Sequence, residues 1–301
     1  MLKSSNSLLN SINEAYLRIS PYIKVTPVLS FPSLNQLTGK DLAFKFASTS
    51  AHAGFLELLH AGNHGIALSY ASSLRGCSAT VVVAGQGTVA LEFLEQNTFA
   101  LQVSYDLDCI IAPVSGGGLI GGIAAAIKAV CPRIKIIAAE PQGTNNAADV
   151  AASKIAGRLL YLPTPETIAD GLLARLGDIT WPLVRDLVDD VIVVQEKEII
   201  QAMLLCRTEL NVSVEPSAAT ALAAALSSRF LHGKQFEGLN KVGIILTGGN
   251  CTIDVSSDLH VDRHKAAKYG SSRIETTNAP FPASLRRLTG SDNGPTLLGD
   301  V

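Results

Sequence analysis

An α/β fold is predicted by three features of the chain. Asp108-Cys109-Ile110-Ile111-Ala112-Pro113-Val114 is an apolar run that reads as a buried strand, and it empties into Ser115-Gly116-Gly117-Gly118-Leu119-Ile120-Gly121-Gly122. An alanine-rich helical stretch, Ile123 to Val130, and a second strand, Pro132 to Glu140, complete a strand, glycine loop, helix, strand unit. Finally, 47% of the 301 residues are hydrophobic and only 17% are charged, a balance suited to well-buried strands.

The glycine loop is chemically informative. Without Cβ atoms its backbone N–H groups can approach a ligand closely, and the helix start behind them offers unpaired donors and a partial positive charge, so an anion such as phosphate would sit well there. The spacing Gly116-x-Gly118-x-x-Gly121, with Glu140 at a later strand end, also fits the dinucleotide fingerprint, which asks for an acid about 20 residues on. An NAD-dependent oxidoreductase and a ligand-free tight turn both stay open on this evidence.

A net charge of −2 gives no electrostatic reason to expect nucleic acid or an acidic membrane surface. The five cysteines, Cys77, Cys109, Cys131, Cys206 and Cys251, are scattered and free of CxxC spacing, which argues against a disulfide framework or a thiolate metal site. The uncharged stretch Cys109 to Ile127 is interrupted by Pro113 and glycines and reads as interior, not transmembrane. The start of the chain does not read as a secretory signal, so a cytoplasmic location is the default.

Taken in order, Leu8, Ile12, Ala15, Tyr16 and Ile19 predict an amphipathic helix. Thr26 to Leu29 is extended, Leu34 to Leu37 is a short helix, and Leu42 to Phe46 is a strand after the Thr38-Gly39-Lys40 turn. Ala47 to His60 shows no clear periodicity beyond half a helix from Phe55. Ile66 to Leu74 is helical, β-branched Ala79-Thr80-Val81-Val82-Val83 predicts a strand, and Val89 to Gln96 a helix after the Gly85-Gln86-Gly87-Thr88 loop. Further on come helices at Ala147 to Ala156, Trp181 to Leu187, Glu196 to Leu210 and Pro216 to Leu226, with strands at Val191 to Val194 and Lys241 to Leu246. Beyond about Asp258 the composition suits a solvated tail.

Seven blocks, in order, carry a resemblance: Thr26-Pro27-Val28-Leu29, Gly62-Asn63-His64-Gly65, Gly85-Gln86-Gly87-Thr88, Ser115-Gly116-Gly117-Gly118-Leu119, Glu166-Thr167-Ile168-Ala169-Asp170-Gly171, Val214-Glu215-Pro216-Ser217 and Thr247-Gly248-Gly249-Asn250. Together they resemble the serine racemase and threonine/serine ammonia-lyase group of fold type II pyridoxal-phosphate enzymes, from about Leu8 to Ser256. The resemblance implies a mostly parallel open sheet with helices on both faces. It makes the loop Ser115, Gly116, Gly117, Gly118 and Leu119 the cradle of the pyridoxal 5'-phosphate phosphate group, sets Asn63 at the 3′-oxygen and the Thr247 hydroxyl at the pyridine nitrogen, and brings Gly171 and Glu215 near the ring. Serine or threonine would be the substrate, through α-proton removal and β-elimination, in a protein that is commonly a homodimer. Glu140 corresponds to an acid that helps hold magnesium or calcium, with Thr144 and Asn146 in the stretch that would supply the remaining oxygens.

Three features of the family are missing. Its Schiff-base lysine lies a few residues after the strand that here contains Phe44-Lys45-Phe46, yet Ala47 to His60 contains no lysine, and Lys45 matches the lysine of the strand itself. Its second acid/base, just before Gly-Asn-His, is here Ala61. Between Val83 and Ala84 most of the small domain is absent. The expected organisation is a large domain of residues 8–60 and 84–257, a small-domain remnant at 61–83 and a flexible tail at 258–301, with catalysis impaired. A non-catalytic cofactor- or partner-binding relative is the alternative reading.

Overall fold

The computed structural model describes residues 5–19, 26, 28–47, 80–101 and 107–248, all within the compact unit Met1–Asp258. The chain starts with α1 (Ser5–Ile19), β1 (Val28–Leu29), α2 (Pro32–Thr38) and β2 (Asp41–Ala47). A long helix α3 (Thr80–Leu101) precedes β3 (Cys109–Pro113), α4 (Gly118–Val130), β4 (Lys135–Pro141) and α5 (Asp149–Ala156). Then follow α6 (Trp181–Leu187), β5 (Asp190–Val194), α7 (Glu196–Glu209), α8 (Pro216–Leu226), α9 (Ser228–His232) and β6 (Lys241–Thr247).

The strands form one sheet in the order β1-β2-β6-β3-β4-β5, antiparallel only at β1. Alternation along the strands serves two helical layers. Ile110, Ala112, Ile136, Ala138 and Ile245 join the core made with Ile12 of α1, Phe93 of α3, Ile123 and Ile127 of α4 and Val184 of α6. The alternate residues Ile111, Ile137, Ile244 and Leu246 are equally buried, on the side where α8 lies along β3, β4, β5 and β6. The predicted α/β architecture with a mostly parallel sheet is therefore what the chain adopts.

The order β3-β4-β5 runs outward, and β6 returns to the other side of β3. The strand order thus reverses between β3 and β6, and in open parallel sheets a ligand crevice forms outside the carboxyl ends at such a reversal. The glycine loop follows β3 there, and Thr247-Gly248 ends β6 beside it.

Three local expectations are corrected. Thr80 to Val83 do not form a strand but open α3, and Gly85-Gln86-Gly87-Thr88 is part of that helix, not a loop. Valine's cost in a helix is only a few tenths of a kcal/mol, and a helix already packed through Ala90 and Phe93 gains a backbone bond for each residue added. Gly87 lets α3 lie against α4: a Cβ there would come within 2.8 Å of the Gly122 carbonyl oxygen. Likewise α4 begins at Gly118, not at Ile123, because the loop glycines accept the first turn. The readings for Ala47 to His60 beyond β2, for Ile66 to Leu74 and for the tail at 258–301 lie outside the described residues.

Candidate functional site

The glycine loop is held from behind. Val114 N–H makes the last ladder bond, to the Ala139 carbonyl at 2.9 Å, and the chain then turns through Gly117, whose φ is +82°. A Cβ on Gly117 would lie 2.7 Å from Leu176 Cδ1 and 2.8 Å from Thr180 Oγ1, so both backbone conformation and space demand glycine. The Thr180 hydroxyl donates to the Gly116 carbonyl at 2.6 Å and fixes the loop's outer rim. Among the described residues, no carbonyl accepts from the N–H groups of residues 115–120. At Gly118 a Cβ would fall 2.2 Å from Gln86 Oε1, so the α3 side chain closes one wall of the cradle.

Across the crevice, Gly248 also has a left-handed backbone, φ +88°, and a Cβ there would meet the Glu215 carboxyl at 2.2 Å. Glu215 stands immediately before α8, and its N–H reaches the Gly248 carbonyl at 3.4 Å. Gly171 N–H donates to Ser217 Oγ at 2.9 Å, and a Cβ on Gly171 would lie 3.8 Å from Glu215 Oε1. Gly171, Glu215 and Gly248 thus converge, with buried Thr247 next in the chain. Ser217 and Thr180 position these groups, and neither had been singled out as a site residue. Ser217 at least stood in a quoted block, whereas nothing near Thr180 signalled its role.

Burial, with Asp170 as the lesser cause, pushes the Glu215 carboxyl from 4.5 up to about 7. Because the folded-state value is raised, this group's stabilising contribution is complete below about 4.5 and is lost as pH rises through about 7. Glu215→Gln fixes the neutral form. After screening for a partly exposed group, it is expected to stabilise the protein by about 1 kcal/mol at pH 8 and by nothing measurable at pH 4, as read from urea denaturation at the two pH values.

Glu140, at the end of β4, is 3% exposed, and its two oxygens accept from Val150 and Ala151 N–H at 2.8 Å each, at the start of α5. Burial pushes this carboxyl up to about 8, and burial also raises its neighbour Asp149. Thr144 Oγ1 donates to Glu166 Oε2 at 2.9 Å, and Asn146 Oδ1 accepts from Gln142 Nε2. Glu140 is thus bonded to the start of α5, and Thr144 and Asn146 to Glu166 and Gln142, so nothing in their contacts marks a magnesium or calcium site. Among the described residues no three His, Cys, Asp or Glu side chains gather to hold a metal. The same two bonds hold the acid that the dinucleotide fingerprint assigns to a ribose hydroxyl.

The family description "Pyridoxal-phosphate dependent enzyme" matches residues 82–248, the span that contains the cradle, Gly171, Glu215 and Thr247. The chain belongs to the pyridoxal-phosphate-dependent enzyme family. It is 39% identical to a serine racemase of Arabidopsis thaliana, over 82% of this chain and 93% of the relative, and 34% identical to that of Dictyostelium discoideum, over 83% and 96%. Among solved structures, maize serine racemase superposes with a TM-score of 0.69 at 37% identity, covering 87% of this chain and 98% of the other. A T.th. threonine deaminase gives 0.65 at 30%, covering 81% and 98%. The chain is therefore a homologue of pyridoxal-phosphate-dependent serine racemases and dehydratases, and its fold is of their type.

The cradle fits the family's cofactor. N–H groups at a helix start that no described carbonyl occupies, and a turn at Gly117 that admits no Cβ, suit a phosphate. Asn63 and Ala61 lie outside the described residues. Among the described residues no helix is long and apolar enough to cross a membrane.

Proposed function

We propose that this chain is a serine racemase and dehydratase relative that keeps the phosphate site of its cofactor and has lost turnover. The observation that carries this reading is Lys45. It is fully buried in β2, and its Nζ donates to the Thr26 carbonyl and hydroxyl oxygens at 2.7 Å each, to Gln96 Oε1 at 2.9 Å and to Glu92 Oε1. That amine is committed to packing. From Ala47 to Ile127 the sequence has no other lysine. Lys40, Lys135 and Lys241 stand at the amino ends of β2, β4 and β6, the edge opposite the glycine loop, and Lys197 follows the outermost strand.

Pyridoxal phosphate, when bound, supplies an electron sink for charge developing next to an amino group. In this reading Ser115, Gly116, Gly117, Gly118 and Leu119 hold the phosphate, Asn63 the 3′-oxygen and Thr247 the pyridine nitrogen, with Gly171 and Glu215 beside the ring. Serine or threonine is the class of ligand. Among the described residues no lysine amine stands at this site to take the α-proton, and in the family's arrangement Ala61 could not return one from the other face. The match to the Arabidopsis protein runs over 321 residues, more than the 301 of this chain, which supports internal segments of the relatives having no counterpart here, including the lysine segment and most of the small domain around 61–83. A cytosolic homodimer completes the proposal, on the strength of the family and of the scattered cysteines, of which Cys109, Cys131 and Cys206 are free.

Incubation with pyridoxal phosphate followed by borohydride tests the reading. The expected mass spectrum shows no adduct, and serine and threonine give no pyruvate or 2-oxobutanoate. Retention should be weak, since the helix-start contribution is only about 0.3–2 kcal/mol. A pyridoxal group fixed to one lysine, with product formation, overturns the proposal.

A further inference from the structure

Gln86 is not among the residues assigned to the site above. Its Oε1 is fully buried, has no hydrogen-bond partner among the described residues and stands where a Cβ on Gly118, the first residue of α4, would fall, in the wall of the cradle. Buried side-chain oxygens are normally paired, so an orphan at a ligand cradle points to a missing partner. A carboxamide has an acceptor end and a donor end of nearly equal size, and a half turn about its last bond exchanges them. With the oxygen inward the wall would repel an anion. With Nε2 inward it adds a neutral donor to the backbone N–H groups of residues 115–120, and no side chain of opposite charge is needed.

We propose that Gln86 is a phosphate-positioning residue, donating from Nε2 to an oxygen of the anion held by Ser115 to Leu119. This rests on the reading of the loop as the cofactor's phosphate site. The seat of Gly87 against Gly122 fixes the height of Gln86 on α4.

The test is binding, not turnover. The single tryptophan, Trp181, follows Thr180, whose hydroxyl holds the loop, so its fluorescence reports occupancy. Pyridoxal phosphate, pyridoxal and inorganic phosphate are titrated into the native protein, Gln86→Glu and Gln86→Ala, with melting curves recorded in the absence of ligand. Gln86→Glu is expected to weaken pyridoxal phosphate at least about tenfold, the scale of losing a hydrogen bond to a charged group, and Gln86→Ala by less. Pyridoxal, which lacks the phosphate, should not distinguish the three proteins. Should Gln86→Glu not fold, the Gln86→Ala protein with a native melting curve decides the question. Equal affinity for pyridoxal phosphate in all folded variants overturns the role of Gln86 alone. Failure of the native protein to bind either phosphate overturns both this role and the cofactor reading.

Discussion

Lys45→Met is expected to lower the stability of the protein by about 3–5 kcal/mol, because removing one partner of a buried ion pair strands the other. Glu92 is 7% exposed, and with the lysine gone its carboxylate keeps, among the described residues, Thr26, which donates from N–H at 2.9 Å and from Oγ1 at 3.3 Å. Burial already lowers the Lys45 pKa against the raising effect of Glu92, the mark of a charge held in place by its partner. Domain stabilities are only about 5–15 kcal/mol, so the single variant should unfold at a much lower urea midpoint. The double variant Lys45→Met with Glu92→Leu, which leaves no stranded charge, should recover most of the loss. A single variant with an unchanged midpoint would show that Lys45 is not the structural clamp between β2 and α3, and would reopen it as a reactive amine.

Gly117→Ala should nearly abolish cofactor binding. The methyl group would have to occupy a left-handed backbone at φ +82° and displace Leu176 and Thr180, a combined cost of about 2–5 kcal/mol. The least costly relief is for the loop to swing off the Thr180 hydroxyl, which scatters the N–H groups that face the phosphate. Affinity for pyridoxal phosphate, followed by Trp181 fluorescence, should drop by more than about tenfold, each factor of ten being 1.4 kcal/mol. The far-UV circular dichroism should stay native, because the loop lies outside the strands. Unaltered affinity would place the phosphate elsewhere.

Much of the site could be read from residue types alone. Glycines at 116, 117 and 118 after an apolar strand demand close backbone approach, and the left-handed Gly117 and the crowded Gly118 justify that demand. The resemblance also told the strand lysine, Lys45, from the family's reactive one, which lies a few residues further on. By contrast, Val81-Val82-Val83 misled, because β-branching is a weak local preference and the helix that follows had a packed surface to extend. Thr180 and Ser217 were invisible as functional residues. Each acts by a hydrogen bond to a residue 64 or 46 positions away, to Gly116 and Gly171 respectively, and no local pattern encodes such a distance.

The linear order of residues by itself determined the α/β class, the glycine loop after β3 and the family, because each depends on periodicity, on glycine at fixed spacings or on ordered motifs. Only the tertiary structure decided what the charged side chains do. Lys45 is bound to Glu92, Glu140 to the start of α5, and the Glu215 carboxyl rests against Gly171 and Gly248. A buried ionisable group takes its role, and its charge state, from the surroundings that packing brings to it, and those are chosen by how strands and helices are stacked, not by its neighbours in the chain.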